Sequence, residues 1–218
     1  MKKAIIVGSV PIGKEKDELL KLIKTEEYYL IAADGGISFF LENNLSPGHF
    51  IGDMDSVDSN ETVAIVKERF PELLINSCSP IKDVTDMEIG IEDAISKGAN
   101  EILIYGGLGG KRMSHTIANI QLISRYKDNN IDITMYDANA KVYIIGDGEK
   151  VEYSEDNEGF ISVFSLSDIS KNVKITGFFY EFEGNLYNTN ALGVSNEFIG
   201  KKSRIALSKG VLLIVEES

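Results

Sequence analysis

Short apolar runs alternate with amphipathic stretches over the first 137 residues, and the two kinds of segment have different periods. Runs at 4–7, 29–32, 50–51, 73–77, 101–105 and 131–136 are strand-like, whereas 15–24, 37–43, 61–70, 87–97 and 115–126 carry helical spacing. In the fourth helical stretch Met87, Ile91, Ala94 and Ile95 share one face, and Glu92, Asp93 and Lys97 lie off it. Strand and helix in alternation predict βαβ units, hence an α/β fold with a mostly parallel sheet covered by helices. From about Ala138 the pattern changes. Runs at 141–145, 150–153, 160–164, 173–180, 204–207 and 211–215 are short and rich in β-branched or aromatic residues. The breaks Gly146-Asp147-Gly148, Glu183-Gly184-Asn185 and Lys209-Gly210 are turn-like. The expectation is an α/β domain over 1–138 followed by a smaller antiparallel β-sandwich domain over 139–218.

With 218 residues, 43% of them hydrophobic, the chain can bury the core of one large or two modest domains. Its formal net charge of -12 offers no general attraction to nucleic acid or to an anionic membrane, since both reward clustered Lys and Arg. Small molecules or proteins are the expected partners. Cys78, the single cysteine, cannot close an intrachain disulfide and offers no zinc-ligand spacing. Met1-Lys2-Lys3 has the charge of a signal peptide, but the apolar run behind it is interrupted by Gly8 and Ser9 and stops at Pro11. It reads as a first strand. No apolar stretch approaches the roughly 20 residues of a membrane helix, so the expected location is the cytoplasm.

Four clusters each follow a strand-like run: 33–36, 52–56, 82–88 and 106–115. In an open parallel sheet, ligands bind beyond the carboxyl ends of the strands, so residues eighty positions apart can converge there. In Gly52-Asp53-Met54-Asp55-Ser56 a turn can aim both carboxylates at one hard cation such as magnesium; the alternative is a solvated turn whose Asp caps the next helix. Thr85-Asp86-Met87-Glu88 fits a capping box, which accounts for Thr85 and Glu88 but not for Lys82 or Asp83. Asp86, in the first helical turn, can favour the dipole or hold a metal; it is taken as a ligand, with Glu88 in support. The 106–115 loop has four glycines that let backbone approach a phosphate, and Lys111, Arg112 and His115 add charge or donors. Its spacing is neither that of the P-loop nor that of the dinucleotide fingerprint, and a tight turn is the plainer reading. Ala33-Asp34-Gly35-Gly36 either turns into the next helix or touches ligand.

Taken in order, Ala-Asp-Gly-Gly, Gly-Asp-Met-Asp-Ser, Lys-Asp-Val-Thr-Asp-Met-Glu, the glycine loop with Arg112, His115 and Thr116-Ile117-Ala118-Asn119, and the later Gly193-Val194-Ser195-Asn196-Glu197 resemble the thiamin pyrophosphokinase family. The resemblance spans nearly the whole chain. It implies an α/β catalytic domain followed by a β-sandwich, working as a homodimer with the site at the subunit interface. It also implies transfer of diphosphate from ATP to the thiamin hydroxyl, with Asp53, Asp55 and Asp86 organising Mg2+ and the triphosphate. Arg112 and His115 match the nucleotide side, joined in the expected ATP-contacting set by Asp34, Gly35, Lys82 and Thr85. Ser195 and Asn196 fall in the motif that lines the thiamin pocket; without the resemblance they read as a β-turn. One departure stands out. Where the family loop ends in Arg, an apolar residue, Asp and His, this chain has Arg112, Met113, Ser114 and His115, with Lys111 as an extra residue ahead. A diphosphokinase for another heterocyclic alcohol, such as a hydroxymethyl pterin, and a non-catalytic nucleotide-binding regulator are the rival expectations.

Overall fold

The computed structural model describes residues 2–52, 65–66, 68–70, 73–76, 84–127, 129–137 and 139–218, those at 74–76 by backbone alone. Asp53, Asp55, Cys78, Lys82 and half of the helix predicted over 61–70 lie outside the described residues. The chain divides into two compact units, Met1–Leu122 with Met135–Ala138, and Ile123–Thr134 with Asn139–Ser218.

In the first unit, β1 (Lys2–Val7), β2 (Tyr29–Ala33), β3 (His49–Ile51), β4 (Leu74–Asn76) and β5 (Ala99–Tyr105) form a parallel array in the order β5-β1-β2-β3-β4. Ala4 to Val7 are buried without alternation, as expected of a parallel strand covered on both faces. One face packs under α1 (Lys16–Thr25) and α2 (Ile37–Glu42), where Ile5, Val7, Leu19, Phe39, Phe40 and Leu103 share a core. On α3 (Asp86–Ser96) the buried residues are Met87, Gly90, Ile91 and Ala94, and Gly90 brings the helix over Ile6 and Ile31. Its start is fixed locally, because the Thr85 hydroxyl accepts the Glu88 amide at 3.2 Å. The predicted helix over 87–97 therefore lies within a residue of its observed bounds. Beyond β5, α4 spans Met113–Lys127. Successive strands β1 to β4 step one way across the sheet, and β5 returns to the other side of β1. The strand order reverses there.

The second unit is a β-sandwich. β6 (Asp132–Asp137) divides between the units, and β7 (Ala140–Ile145), β9 (Phe160–Ser165), β12 (Gly193–Glu197) and β14 (Leu212–Glu217) pair antiparallel in the order β12-β9-β14-β7. The facing sheet, β11-β10-β13-β8, joins β8 (Lys150–Tyr153), β10 (Ile169–Thr176), β11 (Phe182–Tyr187) and β13 (Ser203–Ala206). Ile145, Ile161, Val163, Leu212 and Ile214 from the first sheet meet Tyr153, Val173, Ile175, Leu186 and Ile205 from the second in one buried core. Two expectations fail here. Glu183-Gly184-Asn185 is not a turn but part of β11, where Glu183 pairs with Lys174 and Gly184 with Val173. The irregularity lies in the partner strand: Asn172 has φ 51 and its amide donates to Asn185 Oδ1 at 3.1 Å. The strand expected over 173–180 starts earlier and stops at Thr176, and residues 193–197 form a strand.

Among the described residues no helix is long and apolar enough to cross a membrane.

Candidate active site

The site forms where the strand order reverses, the place at which an open α/β sheet leaves a crevice between chain segments departing in opposite directions. Gly8-Ser9-Val10 leave β1, and Gly106-Gly107 leave β5. The two exits are tied together by Gly8 N donating to Tyr105 O at 2.7 Å and Val10 N to Gly106 O at 3.1 Å. Gly106 is required on two counts: its φ is +69, and a Cβ there would lie 2.5 Å from the Val10 carbonyl oxygen. A cleft of about 470 Å³ opens above these turns. Ala33 at the end of β2, Asp34 beyond it, Val84 to Met87 at the start of α3, Gly109, and Ser114, His115, Ala118 and Asn119 of α4 complete its lining.

Asp34 is held in left-handed backbone, φ 54, at the first position of a 3-10 turn, Asp34–Gly36. Ser9 donates its hydroxyl to Asp34 Oδ2 at 2.7 Å and accepts the Gly35 amide at 3.3 Å. The other carboxylate oxygen, Oδ1, is buried and has no hydrogen-bond partner among the described residues. A buried acceptor left in this state costs stability unless something arrives to satisfy it. On the opposite wall, Asn119 donates to Gly107 O at 2.6 Å and Thr116 to Gly109 O at 3.3 Å, so α4 grips the loop that precedes it. Asn119→Ala should lower stability by about 1–3 kcal/mol, the cost of orphaning a buried carbonyl, in urea denaturation. Arg112 and His115 are exposed neighbours, Nη1 lying 3.4 Å from Nε2. Beneath the loop, Tyr105 stacks on Tyr136 with ring centres 4.9 Å apart. Burial, with smaller contributions from Tyr136 and Glu18, pushes its hydroxyl above the ordinary tyrosine value.

Of the residues expected from sequence, Asp34, Thr85, Asp86 and His115 line this cleft, and Gly35 lines an adjoining pocket with Ser9 and Gly36. Arg112 stands beside it through His115. Ser195 and Asn196 belong to the second unit. Ser195 is exposed with φ 56, and its amide donates to Ser162 Oγ at 3.0 Å. Asn196 is 7% exposed and its side chain is spent on structure: Oδ1 accepts from Tyr180 N and Glu197 N, and Nδ2 donates to Tyr180 O. Ser9 and Asn119 are cleft residues to which the sequence reading gave no role of their own. The signal for Ser9 was present, because Gly8-Ser9 follows β1 just as the other clusters follow their strands.

A hard cation prefers carboxylate oxygens together with phosphate oxygens. Asp34 and Asp86 supply such donors in one cleft, and the orphaned Asp34 Oδ1 marks polar capacity still unused. Among the described residues no three Asp, Glu, His or Cys side chains gather as a metal site. The donor chemistry fits magnesium, with Asp53 and Asp55 two and four residues beyond Ile51, the last residue of β3, in sequence.

Comparison with known proteins agrees with this geometry. Residues 20–135 match the family model described as thiamin pyrophosphokinase, catalytic domain. A thiamine pyrophosphokinase of Bacillus subtilis is 29% identical over 197 residues, which cover 89% of this chain and 90% of that protein. Among solved structures, thiamin pyrophosphokinase from Geobacillus thermodenitrificans superposes with a TM-score of 0.83 at 27% identity, covering 99% of this chain and 97% of its own. The Bacillus subtilis enzyme superposes with a TM-score of 0.86 at 24% identity over 100% of this chain and 99% of its own, a likeness of fold. With the catalytic-domain model matching more than half of its length, the chain belongs to the thiamin pyrophosphokinase family.

Proposed function

We infer that the chain transfers a diphosphoryl group from ATP to the primary hydroxyl of thiamin, giving thiamin diphosphate and AMP. The observation that carries this reading is the cleft at the strand-order reversal, which sets a glycine loop, two helix starts and carboxylates around one volume in a chain of this family. The thiamin oxygen attacks the β-phosphorus in line, the bond from that phosphorus to the α-phosphate oxygen breaks, and AMP leaves. Such transfers depend on positioning and on neutralising charge. The backbone of Gly106 to Gly110 approaches the phosphates, Arg112 and His115 supply charge or donors, and Asp34, Gly35, Lys82 and Thr85 complete the nucleotide contacts. Asp53, Asp55 and Asp86 would hold magnesium, which when bound neutralises polyphosphate charge. Asp55 is positioned in this reading to accept the hydroxyl proton.

The same reading makes 1–138 the ATP-binding catalytic domain and 139–218 the thiamin-binding domain of a cytoplasmic homodimer. Ser195, exposed and in left-handed backbone, supports a contact at the substrate, and Asn196 supports it indirectly by fixing the turn at Tyr180. With ATP and magnesium, AMP should form only when thiamin is added, and chelation should abolish it, because the bare polyphosphate would face Asp53, Asp55 and Asp86. Chromatography is the check. Thiamin monophosphate with ADP would reject the mechanism, and AMP released only with a pterin alcohol would reject the substrate.

A further inference from the structure

Tyr29, the first residue of β2, and His49, the first of β3, meet Asp93, which lies seven residues beyond Asp86 along α3. Tyr29 donates its hydroxyl to Asp93 Oδ2 at 2.8 Å. His49 Nδ1 lies 2.9 Å from the same oxygen, at ion-pair distance but off the line of a hydrogen bond. The His49 side chain is 6% exposed and that of Asp93 16%, so both polar groups have largely lost water. Burial, then the bond to Asp93, pushes the Tyr29 hydroxyl up and keeps it a neutral donor.

A carboxylate this enclosed is costly without partners, so the three side chains hold each other's elements in place. Those elements carry the site. Asp34 follows β2 directly, Gly52 and Asp53 follow β3, and α3 opens with Asp86, roughly 10 Å along the helix from Asp93 at 1.5 Å per residue. Met87, Ile91 and Ala94 bury the apolar face of α3, but Gly90 among them presents no side chain to Ile6 and Ile31, so that turn adds no interlocking side chain. A directional polar contact at the far end supplies the missing constraint.

We propose that Tyr29, His49 and Asp93 form a positioning cluster that sets the axial register of α3 against β2 and β3, and thereby places Asp86 relative to Asp34. The proposal rests on Asp86 being a site residue as read above. None of the three lines the cleft.

The test uses the full chain with Asp93→Asn, His49→Leu, His49→Asn, Tyr29→Phe and the double variant His49→Leu with Asp93→Asn. Asp93→Asn and His49→Leu should each lower kcat about tenfold and leave the thiamin KM within about threefold, the signature of misplaced rather than missing groups. Amides 86–90 should exchange hydrogen faster while the rest of the first unit keeps its protection. The double variant should be no more than about twofold slower than the poorer single one, because both break one contact. His49→Asn, whose amide can occupy the Nδ1 position, should regain most of the rate. Tyr29→Phe removes a single hydroxyl, keeps the fold and should accelerate exchange at the same amides. Hydrogen exchange reads the register of α3 whatever Asp86 does, so it separates this proposal from the assignment of Asp86. Unchanged exchange at 86–90 in Tyr29→Phe and Asp93→Asn overturns the proposal, as do additive losses in the double variant, whereas faster exchange with kcat unaltered overturns the reading of Asp86 as a site residue.

Discussion

Asp86→Asn is expected to lower turnover at least about a hundredfold while leaving the protein folded. Two roles compete for this residue, and their magnitudes differ. An acidic group in the first turn of a helix contributes about 0.3–1 kcal/mol through the dipole, so loss of that role alone would appear as a small drop in stability. A hundredfold loss of turnover corresponds to about 2.7 kcal/mol in the activation barrier, beyond what the dipole supplies. Asparagine keeps the shape and removes the charge. Steady-state kinetics beside a denaturation curve therefore decides the matter: turnover within about threefold of the parent, with stability lowered by under about 1 kcal/mol, would leave Asp86 a helix-dipole residue only.

Gly36→Ala should be the most damaging single methyl in the first unit. Gly36 has φ -59, a conformation open to any residue, so backbone freedom is not the reason for glycine here. The reason is space. A Cβ at this position would lie 1.9 Å from the Val7 carbonyl oxygen and 2.6 Å from its carbon, both backbone atoms of a central strand that cannot swing aside. The expected loss is about 3 kcal/mol or more, the upper end for overpacking. Gly35→Ala is the contrast: its Cβ would meet Ser9 Cβ at 3.3 Å, a tight contact that a shift of a few tenths of an ångström in the exposed Ser9 segment relieves. Its cost should stay within about 1 kcal/mol. Thermal unfolding of the two variants measures the difference, and equal midpoints would refute the steric account.

The architecture was legible where the physics is local. Period-two and period-3.6 apolar spacing separated the α/β half from the sandwich, and Thr85 with Glu88 announced the start of α3. The convergence of Asp34, Thr85, Asp86 and His115 on one cleft was legible because each follows a strand and such ends converge in a parallel sheet. What escaped depends on contacts across the chain. Glu183-Gly184-Asn185 has the composition of a turn, yet Asn185 uses its carbonyl to hold the bulge of the neighbouring strand at Asn172. Asn119 looks like any polar helix residue until α4 folds back onto Gly107. Tyr29, His49 and Asp93 belong to three separate elements, and spacing along the chain says nothing of their meeting.

The reversal of strand order at β1 has a consequence for the birth of the molecule. β2, which follows β1 in the chain, covers one flank of β1, yet the other flank stays bare until β5 and the helix beyond it, around Asn119, have emerged. Closing that gap joins segments nearly a hundred residues apart, the kind of non-local pairing that slows folding and leaves an apolar strand edge open to mispairing. The cleft is thus completed late and all at once: a nascent chain halted after α3 has its Asp34 and Asp86 side and no glycine loop to face it.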